Sequence, residues 1–280
     1  MSFWDKAQNV DRRVIYALMF AVIALVLIKP VGLAIEIKKE TQMAYDALAK
    51  IPTGSVIWLS ADYGASSIPE LLPAQKSVMR HAFGKGLRIV AGAMWNEGGN
   101  MIDLAWQDIQ KDFPNKKYGV DFVNVGYKPG GAVLLERIAT DAHQALLGMD
   151  HYGKPFSELP LMQEFKSFKD AKFIFEFVTG TPGEKDYIKM VTDKLKIPFA
   201  TSATSVSVPE QMPLLQSGQL CGLVMGMAGA AEYEMLVGKP GTATAGMDAQ
   251  SFAHVLIIGF IILGNLGYLL SGKSKFRRKA

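Results

Sequence analysis

Apolar positions along the chain follow two patterns. Near both ends they run without interruption; between the ends, short apolar runs alternate with stretches in which apolar residues recur at helical spacing. The first continuous run, Val14 to Ile28, contains no charge, and apolar character resumes after Lys29-Pro30 as far as Ile35. Residues 14–35 together reach the roughly 20 residues that cross a bilayer, provided Lys29 snorkels to the nearer interface. A cleaved signal peptide competes with this reading. Arg12-Arg13, the apolar run and the small residues Gly32 and Ala34 ahead of Glu36 would suit it. A retained first transmembrane helix is expected. The second run, residues 252–271 (FAHVLIIGFIILGNLGYLLS), is uncharged at neutral pH and predicts a second span.

Between the spans, residues 36–250 predict an α/β domain. A short helix over 41–50 ends at Pro52-Thr53-Gly54. Compact runs then follow at 55–60 (SVIWLS), 87–94 (LRIVAGAM), 120–125 (VDFVNV), 172–178 (KFIFEFV) and 197–203. Amphipathic stretches separate them, which predicts a Rossmann-like or flavodoxin-like parallel sheet of about five strands. Residues 150–170, with Gly153, Pro155 and Pro160, break the alternation and predict an insertion or long crossover. Gly218, Gly222 and Gly226 recur every fourth residue. On a helix they would line one face and allow close approach of another copy. The competing pattern, which we favour, is a sixth strand (LCGLVMG) and a helix over 228–237. Gly264 and Gly267, with Asn265, could support pairing of the second span.

Charge sharpens the topology. The 280 residues carry a net +4, but residues 1–13 hold +1 of it, Lys29 another +1 and the last eight residues +5. The remainder is therefore mildly acidic, at −3. The basic tail, residues 272–280 with Lys273, Lys275, Arg277, Arg278 and Lys279, follows the second span directly and predicts a cytoplasmic anchor on anionic lipid rather than a nucleic-acid patch. Phe3, Trp4, Ala7 and Val10 share helical spacing, compatible with a short helix in the headgroup region. Two spans would put both termini, including segment 1–13, in the cytoplasm and the domain outside it, on a cell or inner membrane.

Candidate chemistry is sparse. Open parallel sheets bind ligands at the carboxyl ends of their strands. The polar residues there are Asp62, Asn96, Glu97, Lys128, Thr179, Thr181 and Ser202. Asp62 and Glu97 could pair for acid–base work, with Lys128 adding charge for an anionic substrate. Yet there is no GxGxxG, GxSxG or HExxH in the chain. The four histidines do not cluster, and the lone Cys221 sits among apolar neighbours as an inert thiol. No metal and no cofactor are expected. The sequence thus favours a membrane-anchored binding or assembly component, oligomeric and non-catalytic, able to take a small-molecule ligand. A membrane-tethered hydrolase or transferase is the alternative.

Overall fold

The structure is a computed structural model and describes residues 11–270. The expected headgroup helix of residues 3–10 and the basic tail from Lys273 to Lys279 lie outside the described residues. The chain divides into two compact units. One draws on the segments Met1–Ala34 and Thr244–Ala280, and the other is Ile35–Ala243.

In the first unit, Asp11 caps helix α1 (Arg12–Ile28), its carboxylate accepting the Arg13 N–H at 2.8 Å. The helix stops after 17 residues because Pro30 drives the preceding Lys29 out of the helical region, to φ −132° and ψ 85°. At 1.5 Å per residue α1 is about 25 Å long, short of the ~30 Å hydrocarbon core. Residues 14–35 are therefore not one helix, and the expected two-span topology is not supported. The chain beyond Pro30 is pinned instead by Asp248, whose carboxylate accepts the N–H groups of Val31, Gly32 and Leu33 at 2.9, 2.7 and 3.0 Å.

One described helix is long and apolar enough to cross a membrane. It is the last of the chain, Thr242–Leu270, with Val255, Ile258, Ile261 and Leu269 exposed along it. It begins ten residues before the expected span. Its start is fixed by Glu234, whose carboxylate accepts the N–H groups of Gly241 and Ala243 at 2.8 and 3.1 Å. Gly264 has nothing within 4 Å of where a Cβ would stand, whereas Gly267 is buried.

The second unit starts with α2 (Lys39–Ala49), followed by β1 (Val56–Asp62), α3 (Ile68–Gly84), β2 (Arg88–Ala93), α4 (Gly98–Ile109) and β3 (Phe122–Tyr127). After α5 (Gly131–Thr140), α6 (Ala142–Ala145) and α7 (Pro160–Glu164) comes β4 (Ala171–Val178). A helical run follows, made of α8 (Glu184–Tyr187), a π-helical turn (Ile188–Thr192) and α9 (Asp193–Leu195). Then come β5 (Phe199–Ala203), α10 (Val208–Gln216), β6 (Gly222–Met225) and α11 (Gly226–Leu236), after which the chain enters the long helix, α12 (Thr242–Leu270), which from Thr244 on belongs to the first unit.

The sheet has six strands, the about five expected plus the favoured sixth within LCGLVMG, all parallel, in the order β3-β2-β1-β4-β5-β6. That is the doubly wound Rossmann order with its switch point between β1 and β4; the flavodoxin order is not adopted. The expected insertion is the long crossover this order requires, from the edge strand β3 past β2 and β1 to β4. It also supplies core. Phe156, Leu159, Phe165 and Phe168 are buried, and Trp58 of β1 lies 5.8 Å from Phe165 and 5.1 Å from Phe168, ring to ring. On the other face Phe175 meets Tyr233 of α11 at 6.4 Å.

The three regularly spaced glycines do not share a helix face. Gly218 is a left-handed turn residue, Gly222 lies in β6, and Gly226 opens α11 at φ +56°. A Cβ at Gly222 would stand 2.2 Å from Ala44 Cα, so this glycine lets α2 press onto the edge strand within the same chain. The close approach expected of these glycines is real at Gly222, but its partner is intramolecular.

Candidate functional site

The switch point brings Asp62, at the end of β1, beside β4. Residues 58, 60 and 62 point to one face of the sheet, and Glu176 of β4 is in register with Ser60. Asp62 is fully buried. Its carboxylate accepts the Met94 N–H at 2.6 Å and the Ser60 hydroxyl at 2.5 Å. Burial outweighs those bonds and pushes its pKa up to about 7. Glu176 is also fully buried, and neither carboxyl oxygen has a hydrogen-bond partner. Burial first, then the nearby Asp62, hold its pKa well above the ordinary range. Below them Trp58 donates its indole N–H to the Tyr187 hydroxyl at 2.9 Å. This polar ladder is closed over by core and lies beneath the crevice.

The other residues expected from the sequence do not converge on Asp62. Glu97 caps the β1–α3 turn, accepting the Ala65 N–H at 2.6 Å, and its carboxylate fills the space where a Gly64 Cβ would stand. In dinucleotide-binding folds, a phosphate uses the donors of this first strand-to-helix turn. Here the chain's own carboxylate takes that place. Lys128 is half-buried, with its ammonium 3.4 Å from the Met149 carbonyl; burial lowers its pKa and Asp150 opposes the shift. Asn96 is exposed. Thr179 ties β4 to β1, donating its N–H to the Asp62 carbonyl at 3.2 Å. Ser202 is buried in register with Phe177, on the sheet face opposite Glu176.

Thr179 and Thr181 do line a pocket. It has a volume of about 240 Å³ and opens between the segment after β4 and the start of α10. Gly180, Gly183, Glu184, Lys185, Asp186, Ser207, Glu210 and Gln211 complete the lining. Two of these side chains are held inside the protein. Glu184 is 7% exposed and Gln211 is 2% exposed. The Gln211 amide donates to Glu184 at 3.4 Å, and its carbonyl oxygen Oε1 has no partner. Burial raises the Glu184 pKa. Lys185 and Glu210 approach to 3.3 Å, and both are exposed. Sequence reading passed over Glu184 and Gln211 because acids and amides in the first turns of helices are ordinary helix-start residues.

A second cluster organises the start of the crossover. Asn124 donates to Asp103 at 2.7 Å, as does the Tyr152 hydroxyl, and His151 Nε2 lies 3.6 Å from the same carboxylate. The His151 ring packs where Cβ atoms on Gly99 and Gly126 would stand. The histidine that looked solitary in sequence thus clamps the crossover to β3 and α4. The other sequence-distant thiol and imidazoles stay apart. Burial lifts Cys221 to about 11, and among the described residues no three metal-ligating side chains converge. Compared with known proteins, the chain matches no family model, no curated protein and no solved structure.

Proposed function

We propose that the protein is a membrane-tethered binding module whose α/β domain takes a small polar ligand with an ammonium or similar donor group in the pocket between the end of β4 and α10. The observation that carries this reading is the unpartnered, buried Gln211 carbonyl beside the buried Glu184 carboxyl, both lining a cavity rich in hydroxyl groups. An acceptor left without a partner costs about 1–3 kcal/mol, which a ligand's donor would recover. The hydrolase or transferase reading needs Asp62, Glu97 and Lys128 around one reacting atom, and it finds no support in side chains that hold separate partners.

Ethanolamine, tested by calorimetry on the full chain in a neutral detergent, is expected to bind, and inorganic phosphate is not. Gln211→Leu is expected to abolish that binding with little change in the thermal midpoint, since the unsatisfied carbonyl it removes offsets the loss of the long bond to Glu184. The pH dependence follows from Glu184. Its folded pKa is raised, so the carboxylate that attracts an ammonium is lost as pH falls through that raised value. Affinity is expected to be about tenfold higher at pH 8 than at pH 5. Phosphate binding more tightly than ethanolamine would sink the proposal.

The basic tail after α12 supports an orientation in which the tail is cytoplasmic and the domain lies across the membrane. Val206 is 86% exposed in the α/β domain. A Val206→Cys variant is expected to react with a membrane-impermeant maleimide in intact cells. Reaction only after permeabilisation would reverse the orientation.

A further inference from the structure

A larger cavity of about 460 Å³ lies at the other edge of the sheet, among the C-terminal turns of α3 and α11, the segment after α4, and Tyr45 of α2. Helices in a parallel α/β fold run against their strands, so these turns gather at the strands' amino ends, away from the pocket described above. One wall is apolar, built of Phe113, Leu236 and Val237. The rest is rich in donors. Arg80, Lys85 and Lys239 line it against a single carboxylate, Asp112. Asp112 is already shared, with Arg80 at 2.7 Å and Lys239 at 3.5 Å. Lys85 has no ion pair among the described residues.

The imidazole in this cavity is set as a donor too. The Tyr233 hydroxyl is fully buried, where the phenol keeps its proton, and it lies 2.9 Å from His81 Nδ1. That phenol hydrogen has no other acceptor among the described residues, so donating to Nδ1 satisfies it and leaves the ring hydrogen of neutral His81 on Nε2. Burial, reinforced by Lys85 and opposed by Asp46, keeps His81 neutral, with its pKa lowered to about 4. Its ring is stacked on Tyr45 at 4.0 Å, which fixes its plane. A cation beside a helix C-terminus is ordinary and would account for Lys85 alone. Three cations with one shared carboxylate, a fixed imidazole donor and an adjoining apolar wall call for an acceptor with an apolar body.

We infer that this cavity is a second binding site, for a soluble organic anion with an aromatic or aliphatic body. The anionic group sits at Lys85 and the free donor of His81, and the body lies on Phe113, Leu236 and Val237. The site shares no residue with the strand-end pocket and stands or falls independently of it.

Photolabelling tests it on the full chain in neutral maltoside detergent. The probe is a trifluoromethyl-diazirine benzoic acid, and the matching benzyl alcohol is its uncharged control. The acid is expected to label peptides containing residues 80–85 or 235–239 saturably, and the alcohol about tenfold less. Lys85→Gln is expected to cut labelling about tenfold, and Val237→Trp, which fills the cavity, to block it. Benzoate is expected to displace the label. Equal labelling by acid and alcohol, or labelling indifferent to both variants, would overturn the inference. Displacement by phosphatidylglycerol but not by benzoate would assign the cavity to lipid and overturn it as well.

Discussion

Replacing Glu176 by leucine is expected to raise the thermal midpoint of the domain by about 5–10 °C at pH 8, and by clearly less at pH 4. Removing an unpartnered buried carboxyl relieves about 2–3 kcal/mol, and each kcal/mol moves the midpoint of a domain this size by roughly 2–4 °C. The pH contrast follows from linkage. A carboxyl whose folded pKa is raised holds its proton more tightly in the native state than in the unfolded chain. Stability is then fully present below the unfolded pKa and declines as pH rises through the folded value. For Asp62 that window runs from 3.8 to about 7, and it removes ~4 kcal/mol on going to neutral pH. Glu176 acts in the same direction. The wild-type protein should therefore be most stable near pH 4–5 and lose stability toward pH 8. Exposed pairs such as Arg88–Glu164, in which the carboxyl pKa is lowered, contribute the opposite slope only at more acid pH, and weakly. Melting curves across pH 4 to 8 for wild type and Glu176→Leu provide the check. A wild-type midpoint that climbs steadily to pH 8 would refute the buried, protonated pair.

Gly222→Val is expected to damage the α/β unit severely, costing ~3 kcal/mol or more. Even the first carbon of a side chain would fall 2.2 Å from Ala44 Cα and 2.3 Å from its amide nitrogen. Those atoms are backbone, so they cannot rotate aside; α2 must lift from β6, exposing Ala44 and Leu48, which are now fully buried. Gly218→Ala, at a turn with open space around it, should cost only the left-handed backbone strain of ~1 kcal/mol. The two variants compared by chemical denaturation separate packing from backbone strain. A smaller loss for Gly222→Val than for Gly218→Ala would contradict the contact.

Much of the fold was legible because its strands are short apolar runs bounded by turns, and β1, β2, β4 and β5 fall within about two residues of those runs. The sixth strand was readable as LCGLVMG, though the glycine spacing around it imitated a helix face. The site was far less legible. Glu176 stands in the run KFIFEFV, where alternation invites a half-exposed strand with the acid outward. In a parallel sheet covered on both faces there is no outward side, so the acid is buried whichever way it points. Asp62, Glu97 and Lys128 occupy strand ends exactly where a catalytic group would stand, yet hydrogen bonds to Met94, Ala65 and Met149 take each in a different direction.

By itself the sequence determined the class of fold, the apolar helix near the C-terminus and the location of the excess positive charge. These follow from local patterns, namely hydrophobic period, run length and charge position, which need no knowledge of distant neighbours. Only the tertiary structure decided that the first apolar segment is a 17-residue helix ended by Pro30, with the chain beyond it held by Asp248. It also decided that two acids are sealed inside the sheet and that Gln211 and Glu184 face a pocket. Whether a polar atom is buried, and what it bonds, is set by residues a hundred or more positions away, such as Asp62 beside Glu176. No period or spacing along the chain carries that information.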